Sequence, residues 1–343
     1  MKSRTLLSIL SMLSILLTIA FTGCQSTEAP AEEAIASPGF EGRWDVTEDT
    51  GERTFASWIE VTPDGDGWTG RFLHRGGHAM PALVEINEGE LKVTQQPDAE
   101  TPNRQVTQQA GAETPNRPER PERIWPVLTG RLEGDRLVGT GTTARGETFN
   151  FTGERAPDRL EGSDREVEWG EPVELFNGKD MTGWEVIGTR ESQWKVENGI
   201  MVNADSGAQI RTVDEYRDFK LHIEFNIPAK SNSGIYLRGR YETQVADNYG
   251  MEPFSRGVGG IYGYITPTVN AEKPAGEWNT VDVTLIGYRV TVAINGVTTI
   301  DGKLIDGITG GALNANEREP GPIMLQGDHG TVSYRNIVLT PAK

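Results

Sequence analysis

Cysteine is almost absent. Cys24 is the single cysteine in 343 residues, which excludes a disulfide framework within the chain and leaves the folded part without thiol chemistry. Histidine is scarce as well, and the four present, His74, His78, His222 and His329, show no zinc-type spacing. Basic charge is in deficit: 33 Lys and Arg stand against 50 Asp and Glu, a formal charge of −17. Nucleic acid needs a basic surface, so it is excluded as a partner, and anionic lipid would be repelled. Neutral, sugar-like or cationic ligands remain. No stretch keeps a long 3.6-residue apolar period, so helices are not expected to build the fold. Gly257-Val258-Gly259-Gly260 follows no strand-to-helix pattern, which excludes a dinucleotide or phosphate loop.

Glycine and proline are plentiful, at 41 and 19 residues. With short alternating runs between turn residues, they predict an all-β chain. The N-terminus stands apart. Lys2 and Arg4 precede an apolar stretch from Leu6 to Phe21, short of the ~20 residues a membrane span needs but suited to a signal peptide. Phe21-Thr22-Gly23-Cys24 resembles the lipobox of bacterial lipoproteins. The resemblance implies cleavage of a signal peptide over residues 1–23 and lipidation of Cys24. Gln25 in the second mature position resembles lipoproteins sorted to the outer membrane. A diacylglycerol plus an N-acyl chain exceeds what stable anchoring requires. The expected location is therefore the bacterial cell envelope, facing the periplasm, with a lipid anchor in the membrane. Residues 24–39 are rich in Ala, Glu, Ser and Pro and read as a flexible tether.

Two β-rich stretches follow. Residues 40–157 hold about seven short runs, such as Ala56-Ser57-Trp58-Ile59-Glu60-Val61 before Pro63-Asp64-Gly65-Asp66-Gly67. They predict a small antiparallel barrel or sandwich, lipocalin-like in its alternation. Residues 95–123 interrupt it with Pro, Gln and Arg, and with Ala-Glu-Thr-Pro-Asn-Arg twice. A polar hexapeptide in two copies buries no core, so a disordered loop insertion is expected. His74 and His78 flank a glycine pair and are expected at the surface. Residues 158–172 are acidic and polar, a linker, and residues 173–343 form the second stretch, expected to be a two-sheet jelly-roll sandwich.

Strand period sorts the side chains of that second stretch. In Lys220–Ile227, His222, Glu224 and Asn226 share the polar face. If Gly234–Val245 is one unbroken strand, Tyr236, Arg238, Arg240, Glu242 and Gln244 share another. Any half-exposed sheet alternates in this way. Carboxylates, amides, Arg and Tyr concentrated on two successive strands also supply what a sugar cleft needs: bidentate hydrogen bonds to hydroxyls and rings for the pyranose face. His329, in Gln326-Gly327-Asp328-His329-Gly330, sits beside glycines at a strand entrance. No Glu-x-Asp-x-x-Glu run occurs, which tells against laminarinase-like retaining glycosidases.

The residues from about Val173 to Leu339 resemble the 3-keto-disaccharide hydrolase family, formerly a domain of unknown function, with its concanavalin-like jelly roll. The likeness is carried in order by Leu175-Phe176-Asn177-Gly178-Lys179-Asp180 with Gly183-Trp184, and by Trp194-Lys195-Val196-Glu197-Asn198-Gly199. Tyr216-Arg217-Asp218-Phe219-Lys220-Leu221 through Glu224 and Asn232-Ser233-Gly234-Ile235-Tyr236-Leu237-Arg238 follow. Then come Tyr241-Glu242-Thr243-Gln244-Val245-Ala246-Asp247, Gly260-Ile261-Tyr262, Pro274-Ala275-Gly276-Glu277-Trp278-Asn279, Leu325-Gln326 with His329-Gly330, and Arg335-Asn336-Ile337. Gly327 departs from the pattern as an additional residue. The resemblance implies an enzyme acting on glycosides already oxidised to a ketone at C3. Such a ketone acidifies the C2 proton, so a base can form an enolate, expel the C1 oxygen and let water add back.

Within that chemistry Glu224 or Glu242 is the candidate base. Arg238, Tyr262 or a bound cation would stabilise the oxyanion, and His329 would protonate the leaving oxygen or orient water. Asn232, Tyr236, Gln244, Asp247 and Gln326 are candidates for binding substrate. Asp247 and Asp328 are acidic, but neither sits in a dense loop of oxygen ligands, so no metal or other cofactor is assigned. A carbohydrate-binding lipoprotein without activity is the alternative reading.

Overall fold

A computed structural model describes residues 39–97 and 124–343. The signal peptide, Cys24, the tether up to residue 38 and positions 98–123 of the insertion lie outside the described residues. The described residues belong to one compact unit, built from strands and turns.

Eight consecutive strands close into an antiparallel barrel: β1 (Gly42–Asp49), β2 (Thr54–Asp64), β3 (Gly67–Leu73), β4 (Met80–Asn87), β5 (Glu90–Gln95), β6 (Val127–Glu133), β7 (Arg136–Thr142) and β8 (Thr148–Arg155). The ring closes where β8 pairs with β1. Alternation sends Trp44, Val46, Ile59, Val61, Phe72, Leu91 and Phe151 inward. These side chains fill the interior. Where a lipocalin keeps a ligand cup, this barrel has a packed core. The expectation of two surface histidines also fails at His74, whose ring stacks on Phe149 at 5.9 Å beside the buried Glu48.

β2 is buried on both of its faces. Ile59 and Val61 face the barrel interior, while Ala56 and Trp58, with Leu73 from β3, join the hydrophobic cluster of the second half of the chain. The Trp58 ring meets Tyr264 edge-on at 6.1 Å. Asp306 ties the same face through Arg71 (3.1 Å) and through its carbonyl to Arg43 (3.0 Å). The polar segment read as a linker is docked rather than free. Arg159 is buried and forks onto Glu317 at 2.9 and 2.5 Å. Glu317 also shares a hydrogen bond with buried Asp45 of β1, and burial pushes Asp45 well above the usual carboxylate range.

The second half is a sandwich of two antiparallel sheets. Its strands are β9 (Val173–Glu174), β10 (Trp184–Ile187), β11 (Trp194–Glu197), β12 (Ile200–Asn203), β13 (Gln209–Thr212), β14 (Phe219–Asn226), β15 (Asn232–Leu237), β16 (Tyr241–Ala246), β17 (Asn279–Ile286), β18 (Arg289–Ile294), β19 (Val297–Leu304), β20 (Met324–Leu325) and β21 (Val332–Pro341). One sheet has the order β10-β13-β20-β15-β16. The other runs β11-β12-β21-β14-β17-β18-β19, with β9 beside β21. The crossing connections make a jelly roll. Its core is the shared inner face: Leu221, Ile223 and Phe225 from the larger sheet meet Ile235, Leu237 and Val245 from the smaller.

Trp58 has no exposed surface and belongs to the core of both halves' junction. Trp58→Ala should lower the unfolding free energy by about 3–5 kcal/mol, the usual cost of deleting a large buried aromatic. Denaturant unfolding followed by circular dichroism checks it; a loss below about 1 kcal/mol would mean the junction adds little stability.

Candidate active site

The run from Gly234 to Val245 is a hairpin, not one strand. Arg238 and Gly239 both take positive φ (53° and 66°), and Arg240 N donates to Leu237 O at 3.0 Å. Arg238, Gly239 and Arg240 thus form a three-residue loop between paired Leu237 and Tyr241, one of the common short hairpin connections. A three-residue loop preserves the alternation, so Tyr236 lies opposite Glu242 and Gly234 opposite Gln244. Ile235, Tyr241 and Val245 go to the core, and Asn232, Tyr236, Glu242 and Gln244 go to the outer face. β20 extends that face, since Gln326 N donates to Gly234 O at 3.0 Å. Gln209 of β13 joins it at the next position.

This outer face carries a recess with the Glu242 carboxyl buried in it. A cavity of about 170 Å³ is walled by Gln209, Asn232, Tyr236, Glu242, Gln244, Tyr262, Gln326, Asp328 and His329, with Gly310 and Gly311 from a nearby loop and Gly76 and Gly77 from the barrel. Glu242 is 4% exposed. Burial pushes its carboxyl up to about 8, with the Asp328 charge adding to the rise and a hydrogen bond from Tyr236 opposing it. Tyr236 has one proton to give, and its hydroxyl also reaches Gly310 O at 2.7 Å. Neutral Glu242 suits that geometry, because its own proton can then go to Tyr236. Turning the Gln244 amide so that its nitrogen faces Glu242 gives a 3.1 Å bond to Oε1 and lets Asn232 donate to the Gln244 oxygen at 3.1 Å.

Gly234 makes room for this carboxyl. A side chain there would collide with Glu242 Oε1, so the glycine opposite Gln244 is part of the site. Gly327, the departure from the family pattern, has a similar reason: a Cβ would strike the Ala208 carbonyl, and Gly327 O accepts from Gly207 N (2.7 Å) and Asn203 Nδ2 (2.9 Å). That tight passage lets Gln326, Asp328 and His329 all reach the cavity. Asp328 Oδ1 lies 2.7 Å from His329 Nδ1. The hydrogen bond to Asp328 raises the imidazole pKa above its ordinary 6.5 despite partial burial, while His329 draws Asp328 down. Burial and the neighbouring Glu242 raise Tyr262.

Three expected residues lie elsewhere. Glu224 sits on β14, in the other sheet, between β21 and β17. Its oxygens take Arg335 Nε at 2.7 Å and Asn336 Nδ2 at 2.6 Å. Burial pushes Glu224 up, but these donors together outweigh it, so its pKa is below the ordinary value. The strands of Glu224 and Glu242 are not neighbours, and the two carboxylates line no common cleft. Arg238 is buried at the hairpin turn, held by Asp218 Oδ1 (2.8 Å) and Gly287 O (2.7 Å), so it is a brace rather than an oxyanion donor. Asp247 Oδ2 accepts from Lys230 N at 2.7 Å and does not line the cavity. Sequence alternation did not place Gln209, the Asp328 carboxylate or the barrel glycines there; only the adjacency of Asp328 and His329 signalled one of them. Among the described residues, no cluster of three or more His, Cys, Asp and Glu could hold a metal.

The jelly roll with amides, acids and tyrosines around its small cavity, taken with the family match that follows, supports a carbohydrate-active protein. Residues 171–340 match the 3-keto-alpha-glucoside-1,2-lyase-like domain, and the chain belongs to that family. A candidate glycosyl hydrolase of Parabacteroides distasonis is 30% identical over 54% of this chain and 92% of its own, with a TM-score of 0.42. A second from the same organism is 23% identical over 50% and 94%, with a TM-score of 0.42. A Bacillus licheniformis β-glucanase is 13% identical over 52% of this chain and 100% of its own, with a TM-score of 0.35. No curated protein matches the chain.

The raised Glu242 gives a signed pH effect. An unfolded glutamate ionises near 4.5, but the folded one keeps its proton to about 8. Between those values the native state holds more protons, so stability falls as pH rises, by at most ~1.4 kcal/mol per pH unit. Glu242→Gln removes this slope. Thermal unfolding should show the variant gaining on the wild type from pH 5 to pH 8; parallel curves would refute the buried neutral carboxyl.

Proposed function

We propose that the protein cleaves glycosides whose sugar carries a ketone at C3, with Glu242 as the base. The observation that supports this most directly is a buried glutamate, its affinity for a proton raised to about 8, in one cavity with the Asp328–His329 pair. Ionised Glu242 takes the proton from C2, and the electron pair moves into the C3 carbonyl as an enolate. The Tyr262 hydroxyl lines the same cavity and can donate to that oxygen. Collapse of the enolate breaks the C1–O bond, and protonated His329 gives its proton to the departing oxygen. Water then adds to C1 of the enone, losing a proton to His329, while Glu242 returns its proton to C2. The balance is hydrolysis without a nucleophilic side chain.

Asn232, Gln244, Gln209 and Gln326 supply amides suited to the remaining hydroxyls. The base must be ionised and the acid protonated, so kcat/KM should follow a bell in pH. Its acid limb belongs to Glu242 and its alkaline limb to His329.

With 3-keto-trehalose as substrate, Glu242→Gln should lower kcat by about 10²–10⁴-fold, while Glu224→Gln changes it only a few-fold, as loss of a surface ion pair would. His329→Gln should remove the alkaline limb, and deuterium at C2 should slow the wild type if proton removal limits the rate. Equal losses in both glutamate variants would overturn the assignment. Binding without turnover would leave a carbohydrate-binding protein.

The anchor is proposed on the same footing. Cys24 would carry lipid and hold the enzyme at the envelope. Cys24→Ser should abolish labelling by a fatty-acid analogue and release the protein from the membrane fraction; an uncleaved, membrane-bound variant would show a plain anchor instead.

A further inference from the structure

The geometry points to the barrel as a working part of the sugar site: its loop after β3 forms the end wall of the cavity and restricts the enzyme to a single terminal 3-keto ring. This rests on the 3-keto-glycoside reading of the site and deepens it. Gly76 and Gly77 line the cavity beside Glu242 and Tyr236. Their position is fixed from inside the barrel. Arg75 takes a positive φ of 58°, its Nε meets Glu48 Oε2 at 2.6 Å, and its guanidinium lies 4.1 Å over the Phe55 ring. Glu48 is fully buried, so this ion pair is shielded from water and salt.

On the sandwich side the fit is backbone to backbone. Gly311 N donates to Arg75 O at 2.8 Å. A Cβ on Gly310 would collide with Gly77, and one on Gly263 would collide with His78. Gly310 and Gly263 lack side chains where this barrel loop arrives. The contact also leads to the base: Gly310 O accepts the Tyr236 hydroxyl, which bonds Glu242. Glu48, Arg75, the 310–311 backbone, Tyr236 and Glu242 thus form one continuous chain of hydrogen bonds. Arg75 is a positioning residue in this chain.

The cavity, about 170 Å³, is smaller than the ~300–1,000 Å³ of sites for drug-sized ligands. Such a volume suits one sugar ring, with the glycine backbone of the barrel loop among its walls. The substrate is therefore a small glycoside, or a glycan end, with the ketone on its terminal ring.

Two variants test this. A Cβ on Gly76 meets nothing within 4 Å, so Gly76→Leu adds bulk at the wall without disturbing the fold. It should raise KM for 3-keto-trehalose, and weaken its equilibrium binding, by at least about tenfold at unchanged melting temperature. Arg75→Ala should loosen the wall, and its readout is ring preference. The wild type should cleave a trisaccharide bearing the ketone on its terminal ring and reject the isomer bearing it on the central ring, and the variant should narrow that difference. Wild-type KM and binding in Gly76→Leu, or equal cleavage of both isomers by the wild type, would overturn the wall while leaving the 3-keto chemistry standing. Binding that Gly76→Leu weakens, without turnover by the wild type, would sink the chemistry and keep the wall.

Discussion

Glu242 keeps a carboxyl on the outer face of a sheet, where water would ordinarily solvate it, and much of the molecule follows from that placement. Burying a carboxylate without partners is costly enough that the group keeps its proton instead. Two features impose the burial. Gly234 lacks the side chain that would occupy the space across the hairpin, and the barrel loop and the 310–311 backbone pack beside the carboxyl. Opening either to water would return Glu242 toward an ordinary glutamate, ionised at neutral pH and a weaker base. The barrel is therefore coupled to the chemistry through solvent exclusion as well as through hydrogen bonds.

Strand periodicity made the jelly roll legible. The alternation in Lys220–Ile227 sent Leu221, Ile223 and Phe225 to the core, as the structure has them. The polar faces of both candidate strands were likewise read correctly. What period 2 cannot say is which sheet a strand joins. Glu224 and Glu242 have the same local pattern, yet β14 lies in the middle of one sheet and β16 at the edge of the other. Sheet membership depends on pairings between residues far apart in sequence, such as Tyr236 with Met324. The hairpin at Arg238-Gly239 was hidden for a narrower reason. A three-residue loop costs no change of parity, so an unbroken strand and this hairpin predict the same facing residues.

Docking of the two β structures left a faint trace in the sequence. Ala56-Ser57-Trp58-Ile59 breaks the apolar-polar alternation expected of a barrel strand with one face in water. β2 shows why, with the Trp58 side in the junction and the Ile59 side in the barrel. Glycines at the contact left no trace that could be interpreted alone. A glycine in a loop suggests a turn, whereas Gly310 serves close approach by another part of the chain. The polar stretch after the barrel was misleading in the opposite sense. Its acids and arginines looked like a solvated linker, but Arg159 finds Glu317, 158 residues away, and is buried with it.

The two glutamates show how environment separates role from residue type. Glu224 has two donors at hydrogen-bond distance, and Arg335 stacks 4.0 Å over Trp278 beside it. Its charge is satisfied, which lowers its affinity for a proton and makes it a poor base at neutral pH. Around Glu242 no cation offsets the burial, and the nearest charge raising it is the Asp328 carboxylate. Asp328 acts in the same direction on its two neighbours: it makes both Glu242 and His329 hold a proton more tightly. A single acid thus tunes the base and the acid of the proposed reaction together. Replacing Asp328 by Asn would lower both affinities at once, so both limbs of the pH profile would move to lower pH, whereas a change at His329 would move only the alkaline limb.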